Sequence, residues 1–485
     1  MVFSSLIFLY TFLPLSLLAY VLCKGREAKN MSLLVFSLIF YAWGEPKYVL
    51  LLMFMSLCSW FCALRVERAA SRKGKRSWVA VSCAIDIALI GFFKYSGLIC
   101  SVFGEVPELI ANIALPIGIS FYTFQLLTYV VDVYRGDAEA QPSYLNVLLY
   151  ASLFHQCVAG PIVRYKTIAH ELFVERDSRD LLSGISRFSV GLAKKTLLAN
   201  PCGALADQLL LSTDVASNAS LFAENLASLS ELSALGAWVG VAAFMMQIYL
   251  DFSAYSDMAI GMGRMLGLHY LENFDYPYLS KTVTEFWRRW HISLGTFFRD
   301  YVYIPLGGRQ CSKARSVFNL FVVWALTGLW HGAHWNFVLW GLYFFVFILI
   351  ERLFLKRLFA KLRILPHIYL LFVVFVGWIL FHFTDVRLGW TVFLGLFGAN
   401  GNAASDFVSI TLLKNNIFLL AVSAVACTPL VKTMANGAGT RLRRSRSGQR
   451  LCDLTAHVVF PIIFLLLSTA SLVGDSYNPF IYFQF

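Results

Sequence analysis

Apolar runs close to bilayer-spanning length recur from residue 4 to residue 473, and no hydrophilic block between them is long enough to fold by itself. A helical span needs about 20 such residues, and only helices and closed barrels satisfy every backbone polar group inside hydrocarbon. The chain therefore reads as an all-α polytopic membrane protein, with residues 1–485 forming one integral-membrane domain. A charged fraction of 14% and a mean hydropathy of +0.67 agree, since ordinary soluble domains are about one quarter charged. The first run, 4–22, has no basic leader and no small-residue cleavage pattern after it, which predicts a retained first span rather than a signal peptide.

The net charge of +12 comes largely from Lys and Arg gathered between the apolar runs. That is the bias of cytoplasmic loops and gives no argument for a nucleic-acid partner. Lys24, Arg26 and Lys29 follow the first run, and Arg65, Arg68, Arg72, Lys73, Lys75 and Arg76 follow the third, which starts the N-terminus outside. Stretches 113–131 and 143–162 are together awkward for charge parity, so one of them is expected to be re-entrant or interfacial. Residues 196–263 carry no Lys or Arg, and polar 212–233 is placed outside; basic residues return densely from Arg264 to Arg315. Spans are then expected at 366–384, 416–431 and 457–473, with a short apolar piece at 389–398. The cluster Arg441 to Arg450 is read as cytoplasmic, which leaves a tail, 474–485, outside. Ten cysteines are scattered without a CxxC pair, so neither a metal site nor a disulfide framework is expected.

Ionisable residues inside such a chain are functional candidates by default. Two histidines stand out, in Thr284-Glu-Phe-Trp-Arg-Arg-Trp-His-Ile-Ser293 and in Trp330-His331-Gly332. Residues 316–350 read as a hairpin broken at Gly332-Ala-His-Trp-Asn336. If its outward arm is helical, His331 lies 16 residues past Arg315, about 24 Å of rise and beyond the midplane. His291 starts from the cytoplasmic side, and at helical spacing it would share a face with Arg288. A neutral imidazole can take a proton from a hydroxyl near neutral pH, as acyl transfer from a thioester to an alcohol requires. His331 is equally compatible with a helix-helix hydrogen bond, and Arg288 and Arg289 with lipid phosphate, Glu285 or Asp300. A polar island, Gln247-Ile-Tyr-Leu-Asp-Phe-Ser-Ala-Tyr-Ser-Asp257, must line a cavity or clamp neighbouring helices.

In order along the chain, these motifs resemble the membrane-bound O-acyltransferase (MBOAT) family, in its bacterial branch that acylates cell-envelope polymers. The resemblance runs through Leu115-Pro-Ile-Gly-Ile-Ser-Phe-Tyr122, Asp132-Val-Tyr-Arg-Gly136, Ala159-Gly-Pro-Ile162, the polar island, the 284–293 segment, Trp330-His-Gly332 and the final Phe480-Ile-Tyr-Phe-Gln-Phe485. It implies a ring of transmembrane and re-entrant helices around a central funnel, with His331 as the catalytic histidine and His291 as its support. The terminal pattern is similar to an acyl-relay motif, with Tyr482 the residue acylated between Phe480 and Phe485. Trp287, Arg288, Arg289, Trp330, Gln247 and Asp257 are the candidate substrate-binding residues.

The expectation is an O-acetyltransferase of the bacterial cytoplasmic membrane. It would take acetyl-CoA or another acyl thioester as donor substrate, hold no bound cofactor or metal, and pass the acyl group to an extracytoplasmic SGNH-type transferase or esterase. A lipid O-acyltransferase without relay and an acyl-group transporter without chemistry remain the rivals. Substitution of His331 separates the transporter, and indifference to the tail separates the lipid enzyme. Acetyl and D-alanyl donors are not distinguished, nor is the polysaccharide.

Overall fold

The structure, a computed structural model, describes residues 2–104, 106–158, 160–176, 179–211, 219–359 and 361–474. Among them every regular element is helical, and seven helices are long and apolar enough to cross a membrane. The protein is a multi-pass membrane protein. Its contacts gather into two compact units. One holds the described residues of Met1–Leu192, Tyr255–Glu272 and His457–Leu472, and the other those of Ala193–Ala254, Asn273–Ala456 and Val473–Phe485.

In the first unit the helices Phe8–Leu22, Val49–Arg68 and Arg72–Phe103 are apolar, and Ser71 caps the third by accepting from the Gly74 N–H at 3.0 Å. Phe3, Phe8, Phe12, Phe40 and Phe154 pack ring to ring, and Phe3 stacks on Tyr255 at 4.4 Å. That contact draws the late segment beginning at Tyr255 into the unit. Arg187 binds Asp257 and Glu272, each at 2.6 Å, so Asp257 is engaged as a clamp carboxylate.

Of the two stretches that disturb the charge parity, one folds as Ile119–Arg135 and the other only as Tyr144–Ser152. The latter has nine residues, about 13 Å of rise, and cannot cross a bilayer. Its irregular continuation is satisfied inside protein: Tyr150 Oη donates to the Val163 carbonyl at 2.9 Å, and the Gln156 amide donates to the Tyr150 carbonyl at 2.6 Å. At Gly118, where φ is 77°, a side chain would strike the Cys157 carbonyl, so the turn into Ile119–Arg135 admits only glycine.

The second unit carries both candidate histidines. Its elements include α1 (Ala234–Met265), whose residues to Ala254 belong here, α2 (Val283–Arg289), α3 (Ile292–Phe298), α4 (Lys313–His331), α5 (Trp335–Ile350) and α6 (Leu365–His382). Helices α4 and α5 are the expected hairpin. Ser312 caps α4, and a Cβ on Gly328 or Gly341 would overlap the carbonyl of Phe337 or Trp324, so the two helices approach backbone to backbone. On α1, Asp251 pairs with Lys195 at 2.8 Å, both all but fully buried. The island's carboxylates thus sit with cations, as charges in a hydrophobic setting must.

Later boundaries shift. The span expected at 416–431 is Phe407–Ala426, because Asp406 and Ser409 form a reciprocal capping box ahead of it. The basic stretch expected as a loop contains helices Leu430–Leu442 and Arg446–Leu454, and Ala219–Ser230 is helical within the polar 212–233 segment.

Candidate active site

His331 is the last residue of α4 and is 2% exposed. Aromatic rings wall it: Trp330 at 4.9 Å, Trp340 of α5 at 4.9 Å and Phe381 of α6 at 5.4 Å between centroids, all edge-on. Trp340 in turn meets Trp287 at 5.3 Å, and Trp287 meets Trp324 and Phe344. Gly332 follows the helix in extended backbone, and a Cβ there would run into the Phe337 ring, so ring and backbone approach closely. The imidazole is therefore packed among aromatic rings in a buried setting.

His291 is equally buried, at 1% exposed, but is held differently. It joins α2 to α3 in the left-handed region, with φ 44° and ψ 55°, a conformation a non-glycine residue adopts only under constraint. The constraint is Asn273. Its carbonyl accepts the Ile292 N–H at 3.0 Å; its side-chain Oδ1 accepts the Ser293 N–H at 3.1 Å and the Ser293 hydroxyl at 2.9 Å, and lies 3.2 Å from His291 Nδ1. Phe252 of α1 covers the ring at 4.7 Å, and Trp330 meets it at 5.6 Å. Burial pushes the imidazole down to about 3, so it is neutral at physiological pH. Trp330 thus touches both imidazoles.

Helix α2 ends at Arg289, with Trp290 extended and His291 in the left-handed region, so the helical face expected to join Arg288 and His291 does not exist: Arg288 is exposed while His291 is buried. Arg289 is engaged by Glu285 at 2.9 Å and Asp275 at 3.6 Å. At the other end of α2, the buried Glu351 carboxylate accepts the Val283 N–H at 2.5 Å, the Thr284 N–H at 3.2 Å and the Thr284 hydroxyl at 3.3 Å. Glu351 directly follows α5, so one carboxylate ties the segment that ends at His291 to the hairpin that carries His331.

Trp287 and Trp330 thus belong to the aromatic surroundings of the histidines, and Gln247 is buried on α1. Asp257 falls in the first unit with Arg187. Tyr482, Phe480 and Phe485 lie outside the described residues. Among the described residues no group of three or more His, Cys, Asp or Glu side chains is placed to hold a metal ion. Asn273, Ser293, Glu351, Trp340 and Phe381 were not singled out from sequence. Only Asn273 carried a local signal, a polar residue just before the aromatic Phe274-Asp-Tyr-Pro277 turn.

His291 and His331, both buried and both in ring contact with Trp330, thus come together within one unit of a helical multi-pass protein. The profile of the MBOAT, membrane-bound O-acyltransferase family, matches residues 137–393, a span that includes both histidines. The chain belongs to this family and is an O-acyltransferase. It is 34% identical to the probable alginate O-acetylase AlgI of Azotobacter vinelandii over the whole of both chains. It is 27% identical to the peptidoglycan O-acetyltransferase of Helicobacter pylori, covering 100% of this chain and 98% of that one. It is also 27% identical to the teichoic acid D-alanyltransferase of Bacillus subtilis, over 48% of this chain and 58% of that one.

Proposed function

We propose that the protein moves an acetyl group from a cytoplasmic thioester, acetyl-CoA, across the bacterial cytoplasmic membrane for O-acetylation of a cell-envelope polysaccharide. The observation that carries this reading is the buried pair His291 and His331 on either side of Trp330, within a chain aligned end to end with an alginate O-acetylase.

In the reaction, His331 takes the proton of the Tyr482 hydroxyl, and the phenolate oxygen attacks the thioester carbonyl. The C–O bond forms, the C–S bond breaks, and the proton passes from His331 to the departing thiolate. A phenol with a pKa near 10 needs such a base at neutral pH. Arg288, exposed near the end of α2, supplies positive charge toward the donor's phosphates, and Arg289 does so only on leaving Glu285 and Asp275. The acetyl-tyrosine, on an extracytoplasmic C-terminal tail, then acylates the serine of an SGNH-type partner, regenerating the phenol.

The test is polymer acetylation in cells carrying Tyr482→Phe or His331→Ala. Loss of acetate from the polymer in both variants, with the protein still in the membrane, is expected. Full acetylation in Tyr482→Phe cells would remove the relay, and acetate transfer to a lipid alcohol instead would replace the polymer reading.

A further inference from the structure

The family resemblance implies that His291 supports His331, and the hydrogen bonds around His291 bear on how. A backbone N–H can only donate. The Ser293 N–H points at Asn273 Oδ1 at 3.1 Å, which fixes the orientation of that amide: the atom facing the junction is the carbonyl oxygen, an acceptor only. The Ser293 hydroxyl donates to the same oxygen at 2.9 Å. His291 Nδ1 stands 3.2 Å from this oxygen and 3.3 Å from Ser293 Oγ, whose proton is already directed at Asn273. A bare Nδ1 lone pair would oppose two oxygen lone pairs there, whereas an Nδ1–H is accepted by both.

We infer that Asn273 is a positioning residue that places the proton of His291 on Nδ1, so that Nε2 carries the lone pair and is the nitrogen through which His291 acts. Phe252, Trp330, Asn273 and Ser293 contact the ring, and burial lowers its pKa. It is thus a neutral ring with one proton to place, and the Asn273 amide decides where. The positive φ of His291 belongs to the same arrangement. The Ile292 and Ser293 N–H groups can both reach Asn273 only if the chain reverses at His291. Thus Asn273 fixes ring orientation and tautomer together, as the partner of a catalytic imidazole does in hydrolytic triads.

This inference rests on the O-acyltransferase reading for its consequence in catalysis, but not for its geometry. The full-length protein in detergent micelles, labelled with nitrogen-15 histidine and compared with a His291→Gln sample to assign the ring, reports the tautomer directly. The expected spectrum has a protonated Nδ1 and an unprotonated Nε2 at His291, reverting toward the Nε2–H form in Asn273→Leu. Asn273→Asp, which retains the acceptor, keeps the Nδ1–H form. An Nε2–H ring in the native chain, or the same tautomer in native and Asn273→Leu proteins, overturns the proposal.

In acyl-transfer assays, Asn273→Leu lowers kcat by about tenfold or more, as the loss of one correctly protonated group does, with KM for the thioester nearly unchanged. In Asn273→Asp the carboxylate stabilises the imidazolium, so the acidic limb of the rate profile moves to higher pH. If acetyl-CoA proves not to be the donor, the kinetic arm is run with the true donor while the spectra stand unaltered. The tautomer and the donor assignment therefore fail separately.

Discussion

The two histidines are buried to the same degree and held by opposite means. His331 ends a regular helix and is fixed by shape, with rings on three sides and a hairpin closed by glycine contacts. His291 sits at a strained junction and is fixed by direction, through hydrogen bonds to Asn273 and Ser293. A packed wall tolerates small volume changes and keeps water out. A polar net specifies which nitrogen holds a proton but fails when one acceptor is removed. His331, the proposed proton-transferring residue, has the first kind of support and His291, its proposed helper, the second, so substitutions should separate the two.

The largest effect is expected at His331 itself. His331→Gln fills nearly the same volume and keeps the aromatic wall, but cannot cycle a proton. Acyl transfer should fall by about 10²–10⁴-fold, while the thermal midpoint in detergent moves little. A midpoint that collapses along with activity would make His331 a packing residue and erase the contrast with His291.

Glu351 tests whether the two supports are coupled. Its carboxylate takes the first-turn donors of α2 while belonging to the hairpin of His331. Glu351→Ala should destabilise the chain by about 1–3 kcal/mol, the cost of stranding buried donors, and lower acyl transfer by loosening both histidines. Glu351→Gln retains one carbonyl acceptor and should recover most of the activity. No recovery would mean that the negative charge, rather than the anchoring, is what matters there. Thermal unfolding and transfer rate on the same preparations decide.

Legible from the sequence were the features that repeat or that water forbids. Runs of apolar residues announced spans, and the polar break after Trp330-His331 announced the hairpin now seen as α4 and α5. Illegible were features set by contact between distant residues. The start of Phe407–Ala426 depended on a capping box, the nine-residue length of Tyr144–Ser152 on satisfaction of the backbone by Tyr150 and Gln156, and the left-handed junction at His291, after α2 has ended at Arg289, on an asparagine 18 residues earlier. Helical spacing joined Arg288 to His291 because local periodicity does not reveal that the chain leaves the helix at Trp290 and reverses at His291. Both candidate histidines were singled out from their residue type and setting, and the structure brings each against Trp330; Asn273 and Glu351 were not, since an amide near a turn and a glutamate after a span are ordinary in isolation.

The smallest effect sharpens what polar surroundings do to an imidazole, through a third histidine that inverts the case of His291. His269, in the first unit and half exposed, is hydrogen-bonded to Asp180 at 3.0 Å and Glu171 at 2.8 Å. The Asp180 hydrogen bond, with Glu171, raises its pKa, against a smaller opposing effect of partial burial. Its contribution to stability is therefore complete below the unfolded value near 6.5 and is lost as pH rises through the raised folded value. His291, whose pKa burial depresses to about 3, has the opposite sign: it costs nothing above about 6.5 and destabilises progressively as pH falls toward 3. Because His269 is half exposed and screened, its share should be a fraction of a kcal/mol. Thermal midpoints from pH 6 to pH 9 should decline slightly in the native chain and flatten on the alkaline side in His269→Gln. An identical alkaline decline in both proteins would assign it to other groups, and would leave burial, not hydrogen-bond partners, as what separates the histidines of this chain.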